Sequence, residues 1–301
     1  MLPPPIAACI RDRFGEDPVA LEPLGGGCTG RFWGLRFADG RRLFAKTLQA
    51  SELPLLEAEA DGLGALAAVA PQDLAVPRPL LVAGREAASL LVLEWLPLAG
   101  GRGGEDRWHR LGRDLAALHR RSLEEGADRF GWPQDNWIGA APQRNGWCRS
   151  WAEFFRDSRL GPQLEWAARS GRPLRGASAL LERLPRWLEG HDPEPVLVHG
   201  DLWSGNAALL SDGRGAIFDP AVHRADREVD LAMARLFGGF PPAFFAGYGE
   251  DWPLAPGHRG RADLYNLYHL LNHANLFGGG YRQQAQASLD ALLESDGRWR
   301  S

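Results

Sequence analysis

The residues with the clearest chemical capacity lie between positions 199 and 219. His199-Gly200-Asp201-Leu202-Trp203-Ser204-Gly205-Asn206 follows the apolar run Val196-Leu197-Val198, and Ile217-Phe218-Asp219-Pro220 comes shortly after. A carboxylate at Asp201 can take the proton from an attacking hydroxyl. Asn206 offers a neutral oxygen and Asp219 an anionic one, the hard donors that Mg²⁺ prefers. His199 is expected to brace the loop through hydrogen bonds and not to transfer a proton. Glu228 and Asp230, in Arg227-Glu228-Val229-Asp230-Leu231-Ala232, are expected to cap and anchor a helix close by.

A second group of residues suits phosphate. Gly25-Gly26-Gly27-Cys28-Thr29-Gly30 fits G-x-G-x-x-G, a pattern that on its own also fits a ligand-free hairpin. The following Arg31–Phe37 reads as a strand rather than a helix, and a glycine loop between strands is the kinase arrangement for covering ATP phosphates. Lys46 closes the strand-like run Leu43-Phe44-Ala45-Lys46 and is placed to neutralise phosphate charge. Glu59 on the next helix can pair with it, with Glu57 as the competing choice because helix phase is open at this point. The apolar run Leu90–Leu93 leads into Glu94-Trp95-Leu96, where a kinase hinge would offer backbone groups to adenine. The spacing of Asp201 and Asn206 is that of the kinase catalytic loop, and Asp219 follows in the same order along the chain.

These residues need two kinds of scaffold. Residues 32–37, 43–46, 80–82 and 89–93 read as short strands, with one Leu-, Ala- and Glu-rich helix over 52–69. A Pro- and Gly-rich loop over 97–106 follows. Beyond it the helical segments 107–121, 151–168, 177–189, 226–237 and 261–276 are interrupted by one strand-rich insert, 196–219. The expectation is an α+β, two-lobed, protein-kinase-like fold. Residues 1–96 would form a small antiparallel β lobe with one helix, ending in the hinge, and 97–301 a larger, mainly helical lobe carrying catalysis and substrate binding.

Composition excludes several classes. The 301 residues carry 34 basic and 38 acidic side chains, a net charge of −4, so no global field recruits nucleic acid or anionic lipid. The arginines of 107–121 alternate with Leu111, Leu115 and Leu118 and read as the wet face of an amphipathic helix. Cys9, Cys28 and Cys148 form no C-x-x-C pair, which points to a reducing compartment without structural zinc. No apolar run is long enough to span a membrane, and the N-terminus lacks a signal-peptide pattern, so the expected location is cytoplasmic. The 12 tryptophans are expected in packing rather than in nucleic-acid stacking.

Two departures from protein kinases stand out. Gly200 replaces the arginine that would read a phosphorylated activation loop, and Asp219 is followed by Pro220 with no A-P-E segment downstream. This is the pattern of constitutively competent metabolite kinases. From Gly25 to about Tyr281 the chain resembles the fructosamine kinase (ketosamine 3-kinase) family. The resemblance is carried by Phe130-Gly131-Trp132, Asn136-Trp137-Ile138-Gly139, Pro142-Gln143 and Trp151–Phe155, then by His199–Asn206 with its Trp203, Phe218–Ala221, Phe237–Phe240 and Tyr268–His273. Aminoglycoside and choline kinases resemble only the 199–206 and Asp219 elements, and remain the alternative class of acceptor. A non-catalytic ATP-binding scaffold would lack a base or metal ligand, and none is missing here.

The resemblance implies ATP- and Mg²⁺-dependent phosphorylation of the 3-hydroxyl of a ketosamine, free or protein-bound, after which the sugar is shed and the amine restored. It implies Asp201 as proton acceptor, Asn206 and Asp219 as metal ligands, Lys46 with Glu59 at the phosphates, and Glu94-Trp95-Leu96 as the adenine hinge. Trp203 would pack against the sugar, and His273 would line the substrate cleft. Cys28 in the glycine loop would be open to oxidation, so the chain would be a monomer or a homodimer, the latter through a redox-dependent disulfide.

Overall fold

The computed structural model describes residues 4–25, 30–99, 104–124 and 126–298. Helix α1 (Pro4–Phe14) leads into strands β1 (Ala20–Leu24), β2 (Arg31–Arg36) and β3 (Arg42–Gln49). Helix α2 (Leu53–Val69), the short β4 (Leu74–Ala75), β5 (Pro79–Arg85) and β6 (Ala88–Glu94) follow. Five of these strands form one antiparallel sheet in the order β1-β2-β3-β6-β5.

The sheet is covered on both faces. Leu90 and Val92 of β6 join Ile6 and Ile10 of α1 in one core, while Leu91 and Leu93 join Leu56, Leu63 and Leu66 of α2 in another. Alternate residues of a strand point to opposite faces, so a strand with a helix on each side reads as an unbroken apolar run. The sheet lobe therefore carries a second helix, α1, absent from the sequence expectation of one. Its apolar contacts are few in sequence, and its opening prolines gave no periodic signal.

Strand β3 sets the direction of Lys46. Leu43 and Ala45 face α1, whereas Phe44 and Leu48 face α2. Lys46 shares the second parity and points at α2. On α2 the buried positions are Leu56, Glu59, Gly62, Leu63, Leu66 and Val69, a helical stripe that includes Glu59, whereas Glu57 is exposed. That phase resolves the choice between the two glutamates.

The remainder of the described chain is mainly helical. It comprises α3 (Glu105–Leu123), the hairpin β7 (Asn136–Ile138) and β8 (Ala141–Gln143), then α4 (Trp151–Phe154), a π-helical turn Phe155–Leu160, α5 (Gly161–Arg169) and α6 (Ala177–Trp187). Next come β9 (Val196–Val198), β10 (Ala207–Leu209), β11 (Gly215–Ile217) and β12 (His223–Ala225), followed by α7 (Glu228–Leu236), α8 (Pro242–Asp251), α9 (His258–Phe277) and α10 (Gly280–Ser295). On α3, Leu111, Leu115 and Leu118 are buried and Arg110, Arg113 and Arg120 are exposed, as the amphipathic pattern requires. The segment expected as a single helix over 151–168 is continuous in direction but contains the π turn. Part of the expected 97–106 loop, residues 100–103, lies outside the described residues, and α3 begins at Glu105. Among the described residues no helix is long and apolar enough to cross a membrane.

Helix α2 is tied to the helical part at two points. Trp132 Nε1 donates to Asp61 Oδ2 at 2.7 Å. Gly62 lies so close to the 220–222 segment that an added Cβ would sit 3.0 Å from a Val222 methyl. Both contacts hold the turn of α2 that presents Glu59.

Candidate active site

Strand β9 delivers the chain to the 199–206 loop, and its conformation depends on Gly200. This residue has φ +81°, and a Cβ there would come 2.1 Å from the Ala221 carbonyl oxygen. No other residue fits without moving the backbone. The loop is anchored from α7: Asp230 accepts the N–H of His199 at 2.7 Å and of Gly200 at 2.9 Å, and contacts His119 Nε2 at 3.2 Å. This corrects the expectation that Asp230 and Glu228 cap a helix. The Glu228 N–H is instead accepted by Asp226 Oδ1 at 3.0 Å, and the Glu228 carboxylate pairs with Arg261 through two contacts of 2.8 Å. The sequence signal for Asp230 was an acid inside an otherwise apolar helical run, which marks a buried carboxylate needing partners.

His199 braces two segments, as expected. Its Nε2–H donates to the Phe218 carbonyl at 3.0 Å, which leaves Nδ1 to accept the Asp201 N–H at 3.3 Å. The neutral tautomer makes both bonds, and burial pushes the imidazole below its ordinary value. Asn206 closes the loop. Its amide nitrogen donates to the Asp201 carbonyl at 2.9 Å, to Asp201 Oδ2 at 3.1 Å and to the Asp219 carbonyl at 3.3 Å.

Asp219 adopts φ +58°, a left-handed conformation uncommon outside glycine and found disproportionately at functional sites. The turn brings its Oδ1 to 3.1 Å from Lys46 Nζ, which lies 2.7 Å from Glu59 Oε2. Lys46 and Glu59 are almost fully buried, whereas the Asp219 side chain is 55% exposed. Burial opposes the charge on Lys46, but Glu59 and Asp219 outweigh it and hold the ammonium above its usual range. Burial pushes the Glu59 carboxyl up to about 7 against the pull of Lys46. Asp201 is pushed up to about 8, first by burial and then by the charge of Asp219, while the Asn206 hydrogen bond works the other way.

Lys46, Glu59, Asp201 and Asp219 line one open cleft, flanked by Asn136, Trp137 and Gly139 of the β7–β8 hairpin. The donor set fits a hard divalent cation. Asn206 directs its N–H groups at Asp201 and Asp219, which turns its Oδ1 away from them, and Asp219 engages Lys46 through one oxygen only.

The other expected residues are distributed around this cleft. Gly25 follows β1 and Gly30 precedes β2, and these strands pair antiparallel, so the glycine loop joins two strands. Gly26, Gly27 and Cys28 lie outside the described residues. At the hinge, the Glu94 N–H is taken by the Arg78 carbonyl at 3.1 Å and the Leu96 carbonyl by the Leu98 N–H at 3.0 Å. The Trp95 ring lies under the Arg42 guanidinium at 4.0 Å. Trp203 is exposed on the loop, and His273 belongs to an aromatic group with Phe237, Phe277 and Tyr281. Gly25, Gly30, Glu94, Trp95, Leu96, Trp203, Asn206 and His273 are not among the residues lining the cleft; Asn206 meets it through its hydrogen bonds to Asp201 and Asp219. The hairpin residues at its flank had no assigned role in the sequence reading.

Comparison with known proteins agrees over nearly the full length. The family model described as fructosamine kinase matches residues 4–295. A protein named probable ketoamine kinase from Synechocystis sp. is 48% identical over 271 residues, covering 90% of this chain and 89% of that one. The protein-ribulosamine 3-kinase of Oryza sativa subsp. indica is 34% identical over 306 residues, covering 94% and 86%. The crystal structure of a fructosamine-3-kinase candidate from Haemophilus somnus 129PT superposes with a TM-score of 0.86 at 28% identity, covering 96% of each chain. With this match spanning both the sheet and the helical part, the chain belongs to the fructosamine kinase family and is a phosphotransferase.

Proposed function

We propose that this protein transfers the γ-phosphoryl group of ATP to the 3-hydroxyl of a ketosamine, and that loss of the phosphorylated sugar then restores the amine. The observation that carries the reading is the meeting of Asp201, Asp219 and the Lys46–Glu59 pair in one cleft. A Mg²⁺ ion held by Asn206 and Asp219 would neutralise phosphate charge. Asp201 takes the acceptor proton. Burial raises its affinity for a proton, which strengthens it as an acceptor.

Lys46 supplies a fixed positive charge to the phosphates, and Glu59 holds it in the direction set by β3. Asp230 and His199 keep the loop in one shape, so that Asp201 is positioned before substrate arrives. With the Glu94 N–H and the Leu96 carbonyl already engaged, adenine recognition falls to the Glu94 carbonyl and the Leu96 N–H. We place the division between the nucleotide-binding lobe and the catalytic lobe after Leu96. A reaction fed by ATP fits a cytoplasmic protein acting on free or protein-bound ketosamines, as a monomer or as a homodimer linked through Cys28.

The test is ATP consumption and product analysis with a ribulosamine, a fructosamine and an aminoglycoside. Phosphate on the sugar 3-hydroxyl of either ketosamine supports the reading. Phosphorylation of the aminoglycoside alone rejects it.

A further inference from the structure

A second, smaller cavity lies against the 199–206 loop, walled by the π-helical turn and by α7 and α9. Gly200 lines it, whereas Asp201, the next residue, lines the cleft. The space holds about one water-sized group. Phe155 and Arg159 of the π turn are both buried and both line it, and Arg159 is only 1% exposed. Its Nη1 donates to the Arg144 carbonyl and, at 2.9 Å, to the Ser158 carbonyl, while Nη2 donates to Asn145 Oδ1 at 2.7 Å. These acceptors are all neutral. Nε has no hydrogen-bond partner among the described residues. Burial pushes the guanidinium down to about 10, against the pull of Tyr268 and Asp135, so it remains charged at neutral pH. A buried charge ordinarily sits beside an opposite one, yet no carboxylate bonds Arg159 or lines the cavity.

His269 of α9 lines the same cavity at 4% exposure, and its Nδ1 also has no partner among the described residues. Burial, with His273 nearby, pushes its imidazole down to about 3, so the ring is neutral. Protonated at Nδ1, that ring offers a second N–H. The other polar groups around the cavity are engaged. Trp151 Nε1 donates to Tyr265 Oη at 2.9 Å, and Tyr265 Oη donates to Asp226 at 2.7 Å. Tyr268 Oη donates to Gln143 Oε1 at 2.8 Å, and His223 Nδ1–H donates to the Ala221 carbonyl at 3.1 Å.

We propose that this cavity is a binding site for one small monovalent anion of halide size, held by the N–H groups of Arg159 Nε and His269 Nδ1. An anion supplies the counter-charge that the buried guanidinium lacks, whereas a water would accept an N–H and leave the charge uncompensated. The space is too small for phosphate or a carboxylate metabolite. The site is separate from the cleft and does not depend on which hydroxyl the enzyme phosphorylates.

The experiment grows crystals of the wild-type protein with sodium bromide as the only halide salt and measures diffraction at the bromine absorption edge. The expected result is an anomalous peak between Arg159 Nε and His269 Nδ1. Density there without an anomalous signal is a water and overturns the proposal, as does the absence of density. Thermal melting in rising chloride or bromide, against gluconate at matched ionic strength, tests the site in solution, because gluconate is too large for the cavity. For a chain of 301 residues, halide at about ten times its Kd should raise Tm by about 2 °C, and the rise should saturate. His269→Leu removes Nδ1, leaves Arg159 in place, and should lose most of that rise. A wild-type Tm indifferent to halide, or an equal rise in His269→Leu, overturns the assignment. Should His269→Leu fail to fold, the wild-type bromide map decides.

Discussion

Glu59→Gln removes one charge from the buried pair while keeping the side-chain shape. At 2.7 Å, with both side chains at most 10% exposed, the direct attraction is on the order of 6 kcal/mol at an effective dielectric of about 20. The burial that pushes Glu59 up to about 7 cancels much of this. Removing one member of a buried pair with no alternative partner costs about 3–5 kcal/mol. Lys46 has an alternative, because Asp219 Oδ1 already lies 3.1 Å from its Nζ. The expected loss of stability is therefore smaller, about 1.5–3 kcal/mol, the value of one hydrogen bond to a charged group. The functional effect should be specific. With Glu59 neutral, Asp219 becomes the sole carboxylate near Lys46 and is drawn toward it, away from a cation. If that competition is worth about 1.4 kcal/mol, the Mg²⁺ concentration for half-maximal rate rises about tenfold. Urea unfolding reads the first quantity, and rate against Mg²⁺ at fixed ATP reads the second. Stability within about 0.5 kcal/mol of wild type together with a superimposable Mg²⁺ curve would refute the reasoning.

Three further expectations follow from the same geometry. Asp201→Asn should lower turnover about 10²–10⁴-fold, the range for removing a general base, with ATP affinity largely retained by equilibrium binding; near-wild-type turnover excludes Asp201 as the base. Gly200→Ala places a Cβ 2.1 Å from the Ala221 carbonyl at φ +81°, so it should cost at least about 1–2 kcal/mol in a melting experiment and lower turnover by shifting Asp201. Burial would raise the Asp230 carboxyl, but the hydrogen bond from His119, with the Gly200 N–H beside it, holds it below its ordinary 3.8. The folded protein thus binds this proton less tightly than the unfolded chain, so the group stabilises above pH 3.8 and the contribution is lost as pH falls through the lowered value. Asp230→Asn should flatten the acid limb of stability against pH; an unaltered limb counts against the assignment.

The absence of an activation-loop arginine has a structural counterpart. Residue 200 must be glycine because the Ala221 carbonyl occupies the space of any side chain there. Helix α2 is held by the Trp132–Asp61 hydrogen bond and by Gly62 against Val222, so the Lys46–Glu59 pair is formed without a phosphorylated loop to order it.

By itself the sequence determined the strand-like runs, the amphipathic helix over 107–121, and the order of Lys46, Asp201, Asn206 and Asp219 along the chain, because period and spacing are local properties. It could not phase α2, since Glu57 and Glu59 are equally charged and only packing against β6 decides which is buried. Helices α1, α8 and α10 and the β7–β8 hairpin were missed for a related reason: they are short or polar in sequence, and their stability comes from partners far along the chain. Asp230 reads as a helix cap until its carboxylate is seen accepting the His199 and Gly200 N–H groups of the 199–206 loop. Asn136 and Gln143 have no assigned role until their amides are seen bound to carbonyls some 80 residues away. Contacts between segments remote in sequence leave no period to read, and they are what turn separate motifs into one cleft.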